Sequence, residues 1–194
     1  MVREIVKDED KLTKSLKRVD KTEGKLARDI IQDLIDTAED FGAERLGLAA
    51  NQIGYDKRII VARTGRGGEF KAMVNPIIIK ASTRKIETRE GCLSLEGERT
   101  AQRHVAVTVM YMDKNLKLQK TDLSGMAAVI VQHEIDHTNG ILIWHVITPE
   151  EAHWHAMHHP ARDSVSMSRC DTEGFVHNAE KNCGYTKASR WKWG

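Results

Sequence analysis

The chain has 194 residues, 40% hydrophobic and 30% charged, which suits one buried core of ordinary size or at most two small ones. A formal net charge of +2 leaves no whole-chain footprint for nucleic acid, so direct DNA binding is not expected, and 5% aromatic content leaves the core to aliphatic side chains. No stretch approaches the roughly 20 apolar residues that span a bilayer, and the charged start Met1-Val-Arg-Glu-Ile-Val-Lys-Asp8 lacks a signal peptide's apolar run. Residues 1–21 are polar and are expected to wrap the surface. From Thr22 to Phe41 apolar residues recur at helical spacing, with Leu26, Ile30 and Leu34 on one line, Ala27, Ile31 and Ile35 on the next, and Gly42 as a stop. Leu46 to Ala50 is short and apolar. Strand-like runs follow at Arg58–Arg63, Ala72–Lys80 and Lys85–Glu90, with Thr64-Gly-Arg-Gly-Gly68 as a hairpin connection. That glycine-rich link lacks the Lys-Ser/Thr ending of a phosphate loop. His104–Met112 alternates, with Val105, Val107, Val109 and Tyr111 on one face, and Asp113-Lys-Asn115 turns it into Leu116–Gln119.

A helix is expected from about Met126 to Thr138, capped by Asp122 or Ser124 and stopped at Gly140. Its opening, Met126-Ala-Ala-Val-Ile-Val131, is apolar all round, the mark of a helix enclosed by other structure. The ionisable residues of its last turns therefore point into the protein. In Gln132-His-Glu-Ile-Asp-His137, two histidines four apart share one helix face, so their ring nitrogens can converge on one metal ion, while Glu134 can reach a water there. A divalent metal with three protein ligands and one open position activates water and polarises a carbonyl. The carboxylate then acts as proton acceptor and donor. The third ligand must come from elsewhere in the chain. Three cysteines, Cys92, Cys170 and Cys183, are few and odd in number, which argues against a disulfide framework and for a reducing cytoplasm. A lone cysteine is more often a small core residue than a ligand. Cys92, however, sits in the polar, turn-like run Glu90-Gly-Cys-Leu-Ser94, where inert packing fits poorly.

Three segments together resemble the peptide deformylases: Gly47-Leu-Ala-Ala-Asn-Gln52, Glu90-Gly-Cys-Leu-Ser94 and Gln132-His-Glu-Ile-Asp-His137, in that family's order and spacing. The resemblance covers residues 1–147 and implies an α+β fold, antiparallel strands surrounding a central helix that carries the metal motif. It implies Fe2+, replaceable by Zn2+, Ni2+ or Co2+, held by Cys92, His133 and His137. It also implies Glu134 as general base and then acid, with Gln52 and the backbone N–H of Leu93 as oxyanion donors. The substrate would be the N-formylmethionine of a nascent peptide, paired like an added strand beside Leu46, Gly47 and Gly91, with Arg99 near it and formate released. Glu90 and Ser94 are expected to shape the cysteine loop, and Asp136 to anchor the helix.

The sequence departs from the family pattern in places. Arg45 stands where glycine is usual, Asn51 where Pro or Thr is common, and Glu96 where proline often follows the second motif. These features resemble a shorter, divergent branch of the family. Arg45 at the pocket mouth would narrow it or favour a substrate carrying negative charge. Some members of that branch lose the glutamine of the first motif, and Gln52 is retained. Residues 148–194 are read as a tail, partly disordered or with one short helix around Pro149–His158. His153, His155, His158, His159, Cys170, His177 and Cys183 fit no established zinc spacing. Lys187–Trp193, basic and aromatic, is expected to be disordered rather than to touch the ribosome or another partner. Three rival readings are a zinc peptidase, which leaves Glu90–Ser94 unexplained, a hydrolase of a different formylated amine, and a catalytically silent, ribosome-associated relative.

Overall fold

The computed structural model describes residues 1–42, 47–64 and 68–143. Among these residues the helices are α1 (Glu9–Leu12), α2 (Gly24–Asp40) and α3 (Gly125–Thr138). The strands are β1 (Gly47–Ala49), β2 (Ile59–Arg63), β3 (Phe70–Ala81), β4 (Lys85–Cys92), β5 (Leu95–His104), β6 (Ala106–Met112) and β7 (Leu118–Ser124). They form an antiparallel sheet in the order β1-β2-β3-β6-β7 and a separate β4-β5 hairpin. The expected α+β class of helices with antiparallel strands is the one found.

Strand β2 explains how the layers assemble. Its residues Ile59 to Ala62 are all fully buried, so both faces of the sheet are covered there. Alternation sends Ile59 and Val61 against Ala27, Ile30, Ile31 and Leu34 of α2. It sends Ile60 and Ala62 against Ala128, Val131 and Ile135 of α3. The α2 stripe anticipated from periodicity is the buried one, except that Leu26 is exposed and Ile35 half-buried, and Gly42 ends the helix region with φ +64°.

Four expectations need correction. Residues 1–21 do more than coat the surface: Leu12, Leu16 and Val19 are buried, and Val6, Leu16 and Arg58 hydrogen-bond Gln52, Thr138 and Lys17 through the backbone. Strand β5 has no apolar alternation and was not anticipated; it forms because its whole length pairs with β4. Neither proposed side-chain cap is made: Ser124 takes the N-cap position without a side-chain hydrogen bond, and Asp122 accepts from the Thr108 hydroxyl at 2.6 Å instead. Finally, Met126 is exposed, so α3 is enclosed chiefly in its second half, where every residue from Val131 to Thr138 is buried. Arg45, Leu46, the middle of the 64–68 link and everything after Ile143, including the expected tail, lie outside the described residues.

Candidate metal centre

The second half of α3 delivers His133, Glu134 and His137 into the interior because its polar residues sit where the helix is covered on all sides. Cys92 comes from a different element, at the end of β4 and beside the Leu93-Ser94 turn of the β4-β5 hairpin. Its Sγ lies 3.3 Å from His137 Nε2, and one ligand atom from each of Cys92, His133 and His137 falls within 4.8 Å of the others. That mutual spacing matches donors around a single ion with bonds of roughly 2.0–2.3 Å. One sulfur and two imidazoles suit a borderline transition metal rather than magnesium or calcium.

The ring of His133 is oriented from behind. Its Nδ1 meets Glu90 Oε2 at 3.0 Å, which leaves Nε2 turned toward the ligand cluster. Glu90 is in turn gripped by Arg103, whose Nε and Nη2 donate to the two carboxylate oxygens at 2.7 Å each, while Nη1 donates to Asp136 Oδ2 at 2.5 Å. Thr88 Oγ1 adds a bond to Glu90 at 2.7 Å. Burial opposes charge on Glu90, yet the Arg103 and His133 donors hold its carboxyl well below the usual carboxylate range. Burial also works against an imidazolium at His133, but its contacts with Cys92 and Glu90 raise it to about 10, while burial and the neighbouring His133 charge push His137 far down. A metal ion held by such a pair competes with protons, because ligating imidazoles must be neutral.

Glu134 stands apart from that network. Burial raises its carboxyl to about 7, and among the described residues its Oε2 has no hydrogen-bond partner. It is a buried carboxyl group next to the cluster of Cys92, His133 and His137. Gly47 of β1 lies directly against it, closer than any side chain would allow. Gln52 is fixed in the 3-10 turn after β1: its Oε1 accepts from the Ala49 N–H at 2.8 Å, which aims Nε2 at Cys92 Sγ (3.4 Å) and Ser94 Oγ (3.3 Å).

The structure therefore gathers Gly47, Gln52, Cys92, Ser94, His133, Glu134 and His137. Gly91 is exposed on β4, and Arg99 is half-buried on β5 opposite Glu90, on the same face of the hairpin, with Nη1 donating to the Glu98 carbonyl at 2.8 Å. Leu46 lies outside the described residues. Asp136 is tied to Arg103, in keeping with an anchoring role. Arg103 itself was missed by the sequence reading: an arginine in a charged strand looks solvated, and only its spacing from Ala101, two residues away on the buried face, hinted otherwise.

Residues 2–153 match the family model described as polypeptide deformylase. The chain belongs to that family. Over 114 residues it is 43% identical to the peptide deformylase of Clostridium beijerinckii, covering 59% of this chain and 82% of that protein. It is 36% identical over 151 residues to the enzyme of a Wolbachia species, covering 71% and 82%. Among solved structures, peptide deformylase from Thermotoga maritima matches with a TM-score of 0.70 at 32% identity, covering 77% of this chain and 99% of that one. A class I type b peptide deformylase from Acinetobacter baumannii, solved with Met-Ala-Ser bound, matches with a TM-score of 0.68 at 30% identity, covering 73% and 97%. Membership makes the chain a metal-dependent hydrolase that removes the N-formyl group from nascent peptides. No helix among the described residues is long and apolar enough to cross a membrane.

Proposed function

We propose that Cys92, His133 and His137 hold Fe2+, replaceable by Zn2+, Ni2+ or Co2+, and that Glu134 carries the protons of deformylation. The observation behind this reading is the convergence of the three ligand atoms within 4.8 Å beside an unpaired, buried carboxylate. A divalent ion held there would acidify water and polarise the formyl carbonyl. The chain's own groups do the rest. Glu134 takes the proton of the attacking water and later delivers it to the amine nitrogen as the C–N bond breaks, which frees formate. Gln52 Nε2, fixed by the Ala49 N–H, and the backbone N–H of Leu93 face the developing oxyanion; one such donor is worth about 2.7–4 kcal/mol.

Strand β1 lies at the edge of its sheet, paired on one side by β2. A peptide can add along its open side beside Gly47, and Leu46, Gly91 and Arg99 are the further residues assigned to substrate contact in this reading. That mode grips the backbone and leaves the N-formylmethionine side chain to an apolar pocket. The Met-Ala-Ser held by the Acinetobacter baumannii relative supports a peptide ligand of this kind. The catalytic unit in this reading is residues 1–147, acting in the cytoplasm on chains emerging from the ribosome, with residues 148–194 dispensable for chemistry.

Anaerobically purified protein loaded with Fe2+ should release formate from formyl-Met-Ala-Ser. No release above the level of Glu134→Ala would sink this assignment. Cys92→Ala should lose the metal, and about one ion per chain in that variant would remove Cys92 from the ligand set. Truncation after residue 148 should leave formate release largely intact.

A further inference from the structure

The amino-terminal segment touches each of the three elements that build the site. Val6 donates its N–H to the backbone carbonyl of Gln52 at 2.8 Å, and its side chain packs against the cluster of Leu12, Leu95, Leu142 and Ile143, against which Cys92 also packs. Lys7, the next residue, reaches across with Nζ to the carbonyl of Leu93 at 2.5 Å. Further along, the Leu12 carbonyl shares the Asn51 amide with the His137 carbonyl (3.2 and 3.1 Å), and the Leu16 N–H donates to Thr138 at 3.0 Å. Consecutive residues thus hold the two residues that face the oxyanion, one by its backbone and one by a charged side chain.

We infer that Val6-Lys7 is a strap that sets the oxyanion donors, with Lys7 as a positioning residue for Leu93. This rests on the deformylase reading above. Leu93 lies in a two-residue turn between Cys92 and Leu95, so its N–H direction is set by few torsions, and a charge-assisted bond on its own carbonyl restrains them. Oxyanion donors work only when fixed in advance, and a small misplacement weakens them without unfolding anything. The bland alternative is an exposed lysine whose ammonium rests on a nearby carbonyl without consequence.

Lys7→Met keeps the stem and removes the charge; Lys7→Arg restores a donor. In the Fe2+-loaded full chain, Lys7→Met should lower kcat about three- to tenfold with KM unchanged, and Lys7→Arg should recover most of the loss. Lys11→Met, at an exposed position of α1, should match the parent. Metal content and melting temperature should not move. Hydrogen exchange at the Leu93 amide, followed by NMR, should quicken in Lys7→Met. An unchanged kcat with unchanged exchange overturns the strap, and so does a loss that tracks lost metal or a lowered melting temperature. If the parent releases no formate, the deformylase reading fails while the Leu93 exchange still decides the strap.

Discussion

A Cβ placed on Gly47 would stand 2.5 Å from both Cγ and Oε1 of Glu134, a separation no side chain tolerates. The first motif therefore opens with glycine because the buried Glu134 carboxylate is pressed against its backbone. Gly47→Ala should shift Glu134, which is buried and has little room to turn. We expect kcat/KM to fall about 100-fold while metal content stays near that of the parent, measured by formate release and elemental analysis. Equal activity would show that Glu134 occupies a different position during turnover.

Arg103 neutralises two buried carboxylates at once. Arg103→Met should therefore cost about 3–5 kcal/mol of stability, read by urea denaturation, since Glu90 and Asp136 would both lose their buried arginine counter-charge. Glu90→Gln is the milder change. It should weaken metal affinity about 10- to 100-fold in a chelator competition by loosening the His133 ring.

Glu134 has a pH signature of its own. Its carboxyl is raised from 4.5 to about 7 in the fold, so the native state holds this proton more tightly than the unfolded chain. Its neutral form is accommodated below about pH 4.5, and metal-free stability drains away as pH climbs from there toward 7. Metal-free Glu134→Gln should match the parent near pH 4.5 and exceed it at pH 8 by up to about 3 kcal/mol, measured by denaturation at both values. A gap that does not grow with pH would mean that Glu134 is not the group responsible.

Glycine replacements separate backbone strain from collision. Gly54 and Gly140 both have positive φ, +86° and +73°, but a Cβ at Gly54 meets nothing within 4 Å, whereas one at Gly140 meets the Thr13 carbonyl oxygen at 2.3 Å. Gly54→Ala should cost about 1–2 kcal/mol and Gly140→Ala clearly more, because the amino-terminal segment must also move. Comparable melting temperatures for the two variants would contradict that order.

Much of the site was legible because it follows helical arithmetic. His133 and His137 share a face by spacing alone, and a covered helix forces such residues to find partners. Cys92 was legible only through its resemblance to a known motif, since the hairpin that brings it to the helix depends on β5. That strand, rich in Glu96, Glu98, Arg99 and Gln102, carries no apolar rhythm and exists through its pairing with β4. Arg103 was hidden for the same reason: its partners lie on another strand and on a helix far along the chain. Val6, Leu12 and Leu16 were overlooked among lysines and aspartates because isolated apolar residues give no period to read.

The ligand set is divided between two pieces of structure that share no sheet. Cys92 belongs to the β4-β5 hairpin and the two histidines to α3, which packs on the five-stranded sheet. A bound ion is then a removable cross-link in a chain whose described residues contain Cys92 only as a free thiol. Its stabilisation depends on how much metal is available, about 4 kcal/mol at a thousandfold excess over Kd. Without the ion, the join between hairpin and helix would rest on polar contacts such as Arg103–Asp136 and Glu90–His133, so metal starvation would loosen the fold as well as stop turnover.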